Sequence, residues 1–289
     1  EVPGEGGKEE RELSHPPLCF RPVRADLAFR PKRMRLALLL MLLLSLPAQA
    51  AATCTARSGE GTAALVELYT SEGCSSCPPA DRWLSSLGAR GYAPERVVPL
   101  ALHVDYWDYI GWKDPYAKRA FTLRQRKLTQ LQRLALVYTP QVMVQGRDFR
   151  RWGTPAFEQA VAAINAQPAQ ARIELAIQGA GPQGLDTHAT VELLKRPEKG
   201  EAGLYLAAYQ NRLVSRVDAG ENRGRVLEHD YVVFEWLGPF SLDAAGRLEE
   251  RRTLPLLPKA SAADSGVVAF VQNRRSGEVL QALMLQACP

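Results

Sequence analysis

Cys74 and Cys77 are the residues of this 289-residue chain whose type and spacing point most directly to chemistry. Two cysteines at i and i+3 close a small disulfide ring, and the thiolate is the form that reacts in thiol–disulfide exchange. Ala63–Tyr69 before the pair is an apolar run, as a buried strand is. Ala80–Leu87 after it carries Trp83, Leu84 and Leu87 at helical spacing. Cys74 is therefore expected near a helix N-terminus, where unpaired N–H groups and the macrodipole favour an anion. In that setting Cys74 is the nucleophile and Cys77, one turn on, resolves the mixed disulfide. Pro78 and Pro79 lack N–H donors but are tolerated in a first helical turn. A lone CxxC also fits half a zinc site or a permanent disulfide. Zinc wants four ligands; the chain has no second CxxC and no H-x-x-x-H, so His103 and Glu67 would have to contribute.

A second motif is Tyr138-Thr139-Pro140-Gln141, between a helical segment and a strand. In the order of elements below, this loop faces the helix start that carries Cys74. A cis Pro140 there would shield the disulfide and leave the Thr139 backbone free to pair with an extended substrate. The alternative is a proline that simply opens a strand. The loop HVDYWDYIGWKDP follows another buried strand, at the end of the sheet where α/β folds place ligands. His103 with Asp105 is a candidate polar pair near Cys74, against a plain core histidine, and Trp107 a candidate part of an aromatic lip for a substrate. The plainer alternative is aromatics that cover the core and acids that cap the next helix.

The elements that must position these residues read as strand, helix, strand, helix, strand, strand, helix. The strands are Ala63–Tyr69, Val97–Val104, Gln141–Gln145 and Arg147–Arg151. The helices are Ala80–Leu87, a segment that Asp114-Pro115 can start, and one opened by Thr154-Pro155 and running to about Asn165. Strands separated by helices imply parallel pairing, and the Gly146 turn implies a hairpin. After Pro168 the texture changes to short alternating or β-branched runs broken by Gly, Asn, Asp and Pro, which predicts a mainly antiparallel, sandwich-like region. The expected organisation is an upstream extension and signal peptide (1–50), a linker (51–61), an α/β domain (62–167) and a β-rich C-terminal domain (168–289).

Strand–CxxC–helix followed by Thr-Pro, a hairpin and a closing helix resembles the thioredoxin-like fold over roughly residues 62–167. Longer strings, GCSSCPPAD (73–81), HVDYWDYIGWKDP (103–115), YTPQ (138–141) and GENRGR (220–225), resemble a bacterial secreted family catalogued as a domain of unknown function, number 1223, over nearly all of the chain after residue 50. GENRGR itself reads as a glycine-built turn. The resemblance implies an exported protein with an α/β thioredoxin-like domain, but no substrate. It also implies an acid in the first strand behind the cysteines; Glu67, one place off that position, is the candidate to shuttle protons to Cys77. Ser75-Ser76 and Gly73 depart from the usual thioredoxin dipeptide and preceding aromatic.

Compartment and partners follow from the rest. LALLLMLLLSL (36–46) is too short for a bilayer, which needs about 20 residues. A basic PKRMR precedes it and Ala48-x-Ala50 follows, so it reads as a signal peptide cleaved near Ala50, with Met34 as its start. The expected location is periplasmic or secreted, with no membrane attachment after cleavage. Cys54 and Cys288, near the two ends of that chain, are expected as a structural disulfide, since chain termini often lie close together. The formal net charge of +5 is mild and no run of five basic residues exists, which argues against nucleic acid. The expected function is an exported thiol–disulfide oxidoreductase with no diffusible cofactor and no metal, acting on a protein or a small thiol or disulfide. The alternatives are a module that binds copper or another soft metal through Cys74 and Cys77, or a non-catalytic adaptor with a static disulfide.

Overall fold

The structure, a computed structural model, describes residues 53–181, 184–195, 201–258 and 260–288. The expected signal peptide, its cleavage point near Ala50 and the upstream extension lie outside the described residues. The first half runs β1 (Thr53–Arg57), β2 (Ala64–Thr70), α1 (Pro78–Ser85), β3 (Val97–His103), a 3-10 turn (Asp105–Ile110), α2 (Arg119–Leu131), β4 (Gln141–Val144), β5 (Arg147–Asp148) and α3 (Pro155–Asn165). The second half is almost all strand: β6 (Ala171–Gly181), β7 (Gly184–Leu193), β8 (Ala202–Gln210), β9 (Leu213–Arg216), β10 (Val226–His229), β11 (Val232–Ser241), β12 (Arg247–Leu254), β13 (Ser265–Asn273) and β14 (Val279–Gln286).

Every residue of β2 and β3 is buried. Their uninterrupted apolar sequences suit a strand covered on both faces. Alternation sends Leu65 and Tyr69 of β2 to a core shared with Phe121 of α2 and Phe270 of β13. It sends Val66 and Leu68 to the opposite face, against Trp83 and Leu84 of α1 and Phe157 of α3. Thr154 caps α3 as expected, its hydroxyl accepting the Ala156 N–H at 3.3 Å with Pro155 as the first helical residue. α2 begins later than Asp114-Pro115 suggested. Lys118 is still extended (φ −132°, ψ 137°), and Asp114 is drawn into the buried network described below.

The expected fold class, an α/β thioredoxin-like domain followed by a separate antiparallel domain, is corrected here. Of the described residues 43% are strand and 18% helix. One eight-stranded mixed sheet runs through both halves in the order β14-β13-β8-β11-β3-β2-β4-β5. Its junction is β11, which pairs in parallel with β3, Val232 opposite Ala101; the Ala101 N–H donates to the Tyr231 carbonyl at 2.8 Å. The physical reason is edge satisfaction. A fully buried β3 cannot leave its outer edge unpaired: the β11 side takes the Ala101 N–H, and the Lys118 N–H donates to the His103 carbonyl at 3.1 Å. Thr53–Arg57, inside the segment read as a linker, is strand β1 and pairs with β6. With β7 and β12 these form a four-stranded antiparallel sheet whose apolar side packs on β8, β13 and β14. β9 and β10 pair only with each other, as a two-stranded ribbon.

Candidate functional site

The two cysteines lie in the turn that joins β2 to α1. The Cys74 N–H donates to the Ser71 carbonyl (3.1 Å) and the Cys77 N–H to the Cys74 carbonyl (3.2 Å); the Cys77 carbonyl then accepts from Ala80 and Asp81 to start the helix. Cys74 and Cys77 are joined by a disulfide, with Cα atoms 5.4 Å apart. Cys77 occupies the N-cap of α1, and Cys74 lies three residues before it. Pro78 and Pro79 fill the first helical turn and contribute no N–H, so the donor array expected to face Cys74 is thinner than a free helix end provides. Ser75 and Ser76 are exposed, but Cys74 is 1% and Cys77 0% exposed. Gly73 has a steric reason: a Cβ there would sit 3.2 Å from both the Trp107 Cβ and the Ile110 Cδ1.

Thr139-Pro140 borders the same turn. The peptide is cis. Gln141 pairs with Tyr69, so Pro140 lies beside the end of β2 from which the cysteine turn departs. Trp107 links the two segments: its Cβ packs on Gly73 and its indole N–H donates to the Thr139 hydroxyl at 2.7 Å. Gln125 of α2 fixes the loop from behind, donating to the Tyr138 carbonyl and the Gln141 side chain, each at 2.8 Å.

Two expected partnerships are replaced by others. Glu67 is fully buried, but it shares the face of β2 that carries Leu65 and Tyr69, away from α1. There its carboxylate pairs with Arg124 (Nε–Oε1 2.5 Å, Nη2–Oε2 3.0 Å), and the guanidinium stacks over Trp236 at 4.6 Å. Strand alternation thus removes Glu67 from the cysteines. His103 does not pair with Asp105: its Nδ1 meets Asp114 Oδ2 at 2.7 Å. Asp105 instead accepts from Thr122 at the start of α2 (2.5 Å). Burial opposes charge on His103, but the Asp114 carboxylate outweighs it and the pKa is raised. Burial likewise pushes Asp114 up, and His103 brings it below the usual carboxylate value.

The network behind the turn has members that sequence reasoning missed. The Glu72 N–H donates to Asp114 (2.8 Å), and its carboxylate accepts from the Trp112 indole (2.8 Å) and meets His229 Nε2 at 3.2 Å. The His103 and His229 rings lie 5.0 Å apart, edge to face. Asp81, four residues beyond Cys77 on α1, is buried with an unpartnered oxygen. Burial raises its pKa, partly offset by His229 and His103. Asn222, from GENRGR, is completely buried and donates to the carbonyls of Glu72 (2.8 Å) and Cys74 (2.9 Å). Asp81 and Glu72 were visible as acids close to the cysteines in sequence; His229 and Asn222 carry no local signal. Cys54 and Cys288 are disulfide-bonded across a sequence separation of 234. Among the described residues no group of three or more His, Cys, Asp and Glu is placed to hold a metal ion, and no helix is long and apolar enough to cross a membrane.

Comparison with known proteins adds a family and a fold. A family model described as "Protein of unknown function (DUF1223)" matches residues 65–272. No curated protein matches. A crystal structure of protein AGR_C_4864 from Agrobacterium tumefaciens is similar at 24% identity and TM-score 0.56, covering 79% of this chain and 96% of that one. A structure of HBP35 of Porphyromonas gingivalis is similar at 17% identity and TM-score 0.62, covering 80% and 76%. At these identities the likeness is one of fold.

Proposed function

The chain belongs to the DUF1223 family of proteins of unknown function, and from that premise we propose that it is an exported thiol–disulfide exchange protein whose reacting bond is Cys74–Cys77. One observation carries this reading. The disulfide lies in a strand-to-helix turn with an exposed Ser75-Ser76, and Trp107 ties that turn to Thr139 beside Pro140. In the exchange step a substrate thiolate attacks the Cys74 sulfur. The Cys74–Cys77 bond breaks, a mixed disulfide forms on Cys74, and Cys77 leaves as a thiolate. A second substrate thiolate displaces Cys74, so the substrate is oxidised to a disulfide and the pair is reduced. Asp81 lies on the same face of α1 as Cys77, and its raised pKa suits it to pass a proton to that leaving sulfur. Thr139 and Pro140 orient the substrate segment. The Trp107 side of the loop borders it, while His103 and Asp105 act from beneath through Asp114 and Thr122.

Equilibration of the protein against glutathione buffers, with mass-spectrometric readout of Cys74 and Cys77, tests the reading. Cys74→Ser is expected to abolish dithiol exchange and Cys77→Ser to trap mixed disulfides. Variants that both exchange thiols like the parent would sink it. The burial of both sulfurs favours a second reading, a permanent bridge in an adaptor. A reduction potential below about −300 mV supports that alternative, because such bonds resist the glutathione pool.

A further inference from the structure

The hairpin formed by β9 and β10 belongs to neither large sheet, and an isolated two-stranded ribbon is marginally stable in water by itself. Val214 and Val226 on it are exposed, so one face is not packed. The loop at its end, residues 217–225, is well made: the Gly224 N–H donates to the Val217 carbonyl (2.7 Å) and the Arg225 N–H to the Asn222 carbonyl (3.0 Å). Gly220 has φ +73°, and a Cβ there would meet the Ile110 Cδ1 at 3.0 Å, so glycine lets the loop come close to the 3-10 turn. From this loop Asn222 donates to the carbonyls of Glu72 and Cys74, with its own oxygen held by Arg225 (3.1 Å). Glu221 accepts the Ser75 N–H at 2.9 Å, using the backbone donor in the middle of the Cys-Ser-Ser-Cys turn. The ribbon's base is held by Tyr116 to Ser215 (3.2 Å) and by His229 to Glu72.

We propose that this ribbon is a lid: Glu221 and Asn222 latch its loop onto the cysteine turn, and a thiol reaches the Cys74–Cys77 bond only when the latch is released. The inference deepens the exchange reading by saying how a nearly inaccessible disulfide is reached. The three side-chain contacts of the latch join polar groups that water can satisfy once the loop lifts, and the apolar cost of opening is set by the buried Val217 and Leu227.

The test is chemical reduction of the full chain by dithiothreitol, read by mass spectrometry at Cys74 and Cys77. Dithiothreitol is oxidised to its cyclic disulfide, and its two protons end on Cys74 and Cys77. For a lid, the pseudo-first-order rate constant levels off as reductant concentration rises, because opening becomes limiting. Asn222→Ala is expected to raise that plateau about tenfold, and Glu221→Ala, a milder change at an exposed residue, about threefold. Arg223→Ala, a neighbour whose side chain takes no part in the latch, is expected to match the parent. If Asn222→Ala fails to fold, the Glu221→Ala arm stands alone. A rate linear in dithiothreitol throughout and equal in parent and variants overturns the lid, as does a plateau that neither variant moves. Failure of the exchange reading is a separate result: no turnover of a thiol substrate by any variant, with the dithiothreitol plateau intact.

Discussion

The side-chain amide of Asn222 donates to the carbonyl oxygen of Cys74 at 2.9 Å, across 148 residues of chain. The same amide reaches the Glu72 carbonyl, so one buried residue of the second half fixes both sides of Gly73 in the first. The cysteine turn is therefore built jointly by the two halves, as the large sheet is through β3 and β11.

Glu67 and Arg124 form a buried pair on the far face of β2. Glu67→Gln leaves the guanidinium without its counter-charge and is expected to cost about 3–5 kcal/mol of stability, measured by urea unfolding. Because the pair lies away from α1, dithiothreitol reduction of Cys74–Cys77 in the folded variant is expected at the parent rate. A variant that folds normally but exchanges thiols several-fold more slowly would return Glu67 to the site.

His103 holds its proton more tightly in the folded protein than a free histidine does. Its contribution is fully present below about pH 6.5, the ordinary value, and is lost as pH rises through the higher folded value. Asp114 is depressed, so its contribution is present above about pH 3.9 and is lost as pH falls through the lower folded value. Unfolding free energies from pH 4 to 9 are expected to show the parent's advantage over Asp114→Asn greatest between those limits. A constant difference across the range contradicts the pairing.

Asp81 is raised by burial, so the folded state keeps its proton to higher pH than the unfolded chain. Its contribution is present below about pH 3.9 and is lost as pH climbs through the folded value. Asp81→Asn, which never ionises, is therefore expected to be more stable than the parent at pH 7. If Asp81 serves Cys77, the same variant exchanges thiols more slowly and loses one limb of the rate–pH profile. An unchanged profile assigns Asp81 to packing alone.

The Cys54–Cys288 bond closes β1 against the chain end across a separation of 234 residues. Double replacement by serine is expected to lower stability by about 4–5 kcal/mol in the chain-entropy view. It should leave reduction of Cys74–Cys77 unchanged, since Cys54 packs against the core beneath the four-stranded sheet whereas Cys74 and Cys77 lie in the turn between β2 and α1. Urea midpoints with and without the bond give the answer.

What could be read in advance was what is local in the chain. The apolar runs of β2 and β3, the Thr154-Pro155 cap and the CxxC turn before a helix depend on neighbours within a few residues, and they appear where periodicity and capping put them. By itself the sequence also determined which atoms could do chemistry, since only Cys74 and Cys77 stand one turn apart. Only the tertiary structure decided their surroundings. The pleat of β2 turned Glu67 toward Arg124, and the β2–β3 ends brought His103 to Asp114 instead of Asp105. The need to satisfy the open edge of β3 drew β11 across a boundary that composition had suggested. With it came the ribbon whose loop bonds to the backbone of Glu72, Cys74 and Ser75. Long-range pairing is selected by burial and backbone satisfaction over the whole molecule, which no window of sequence contains.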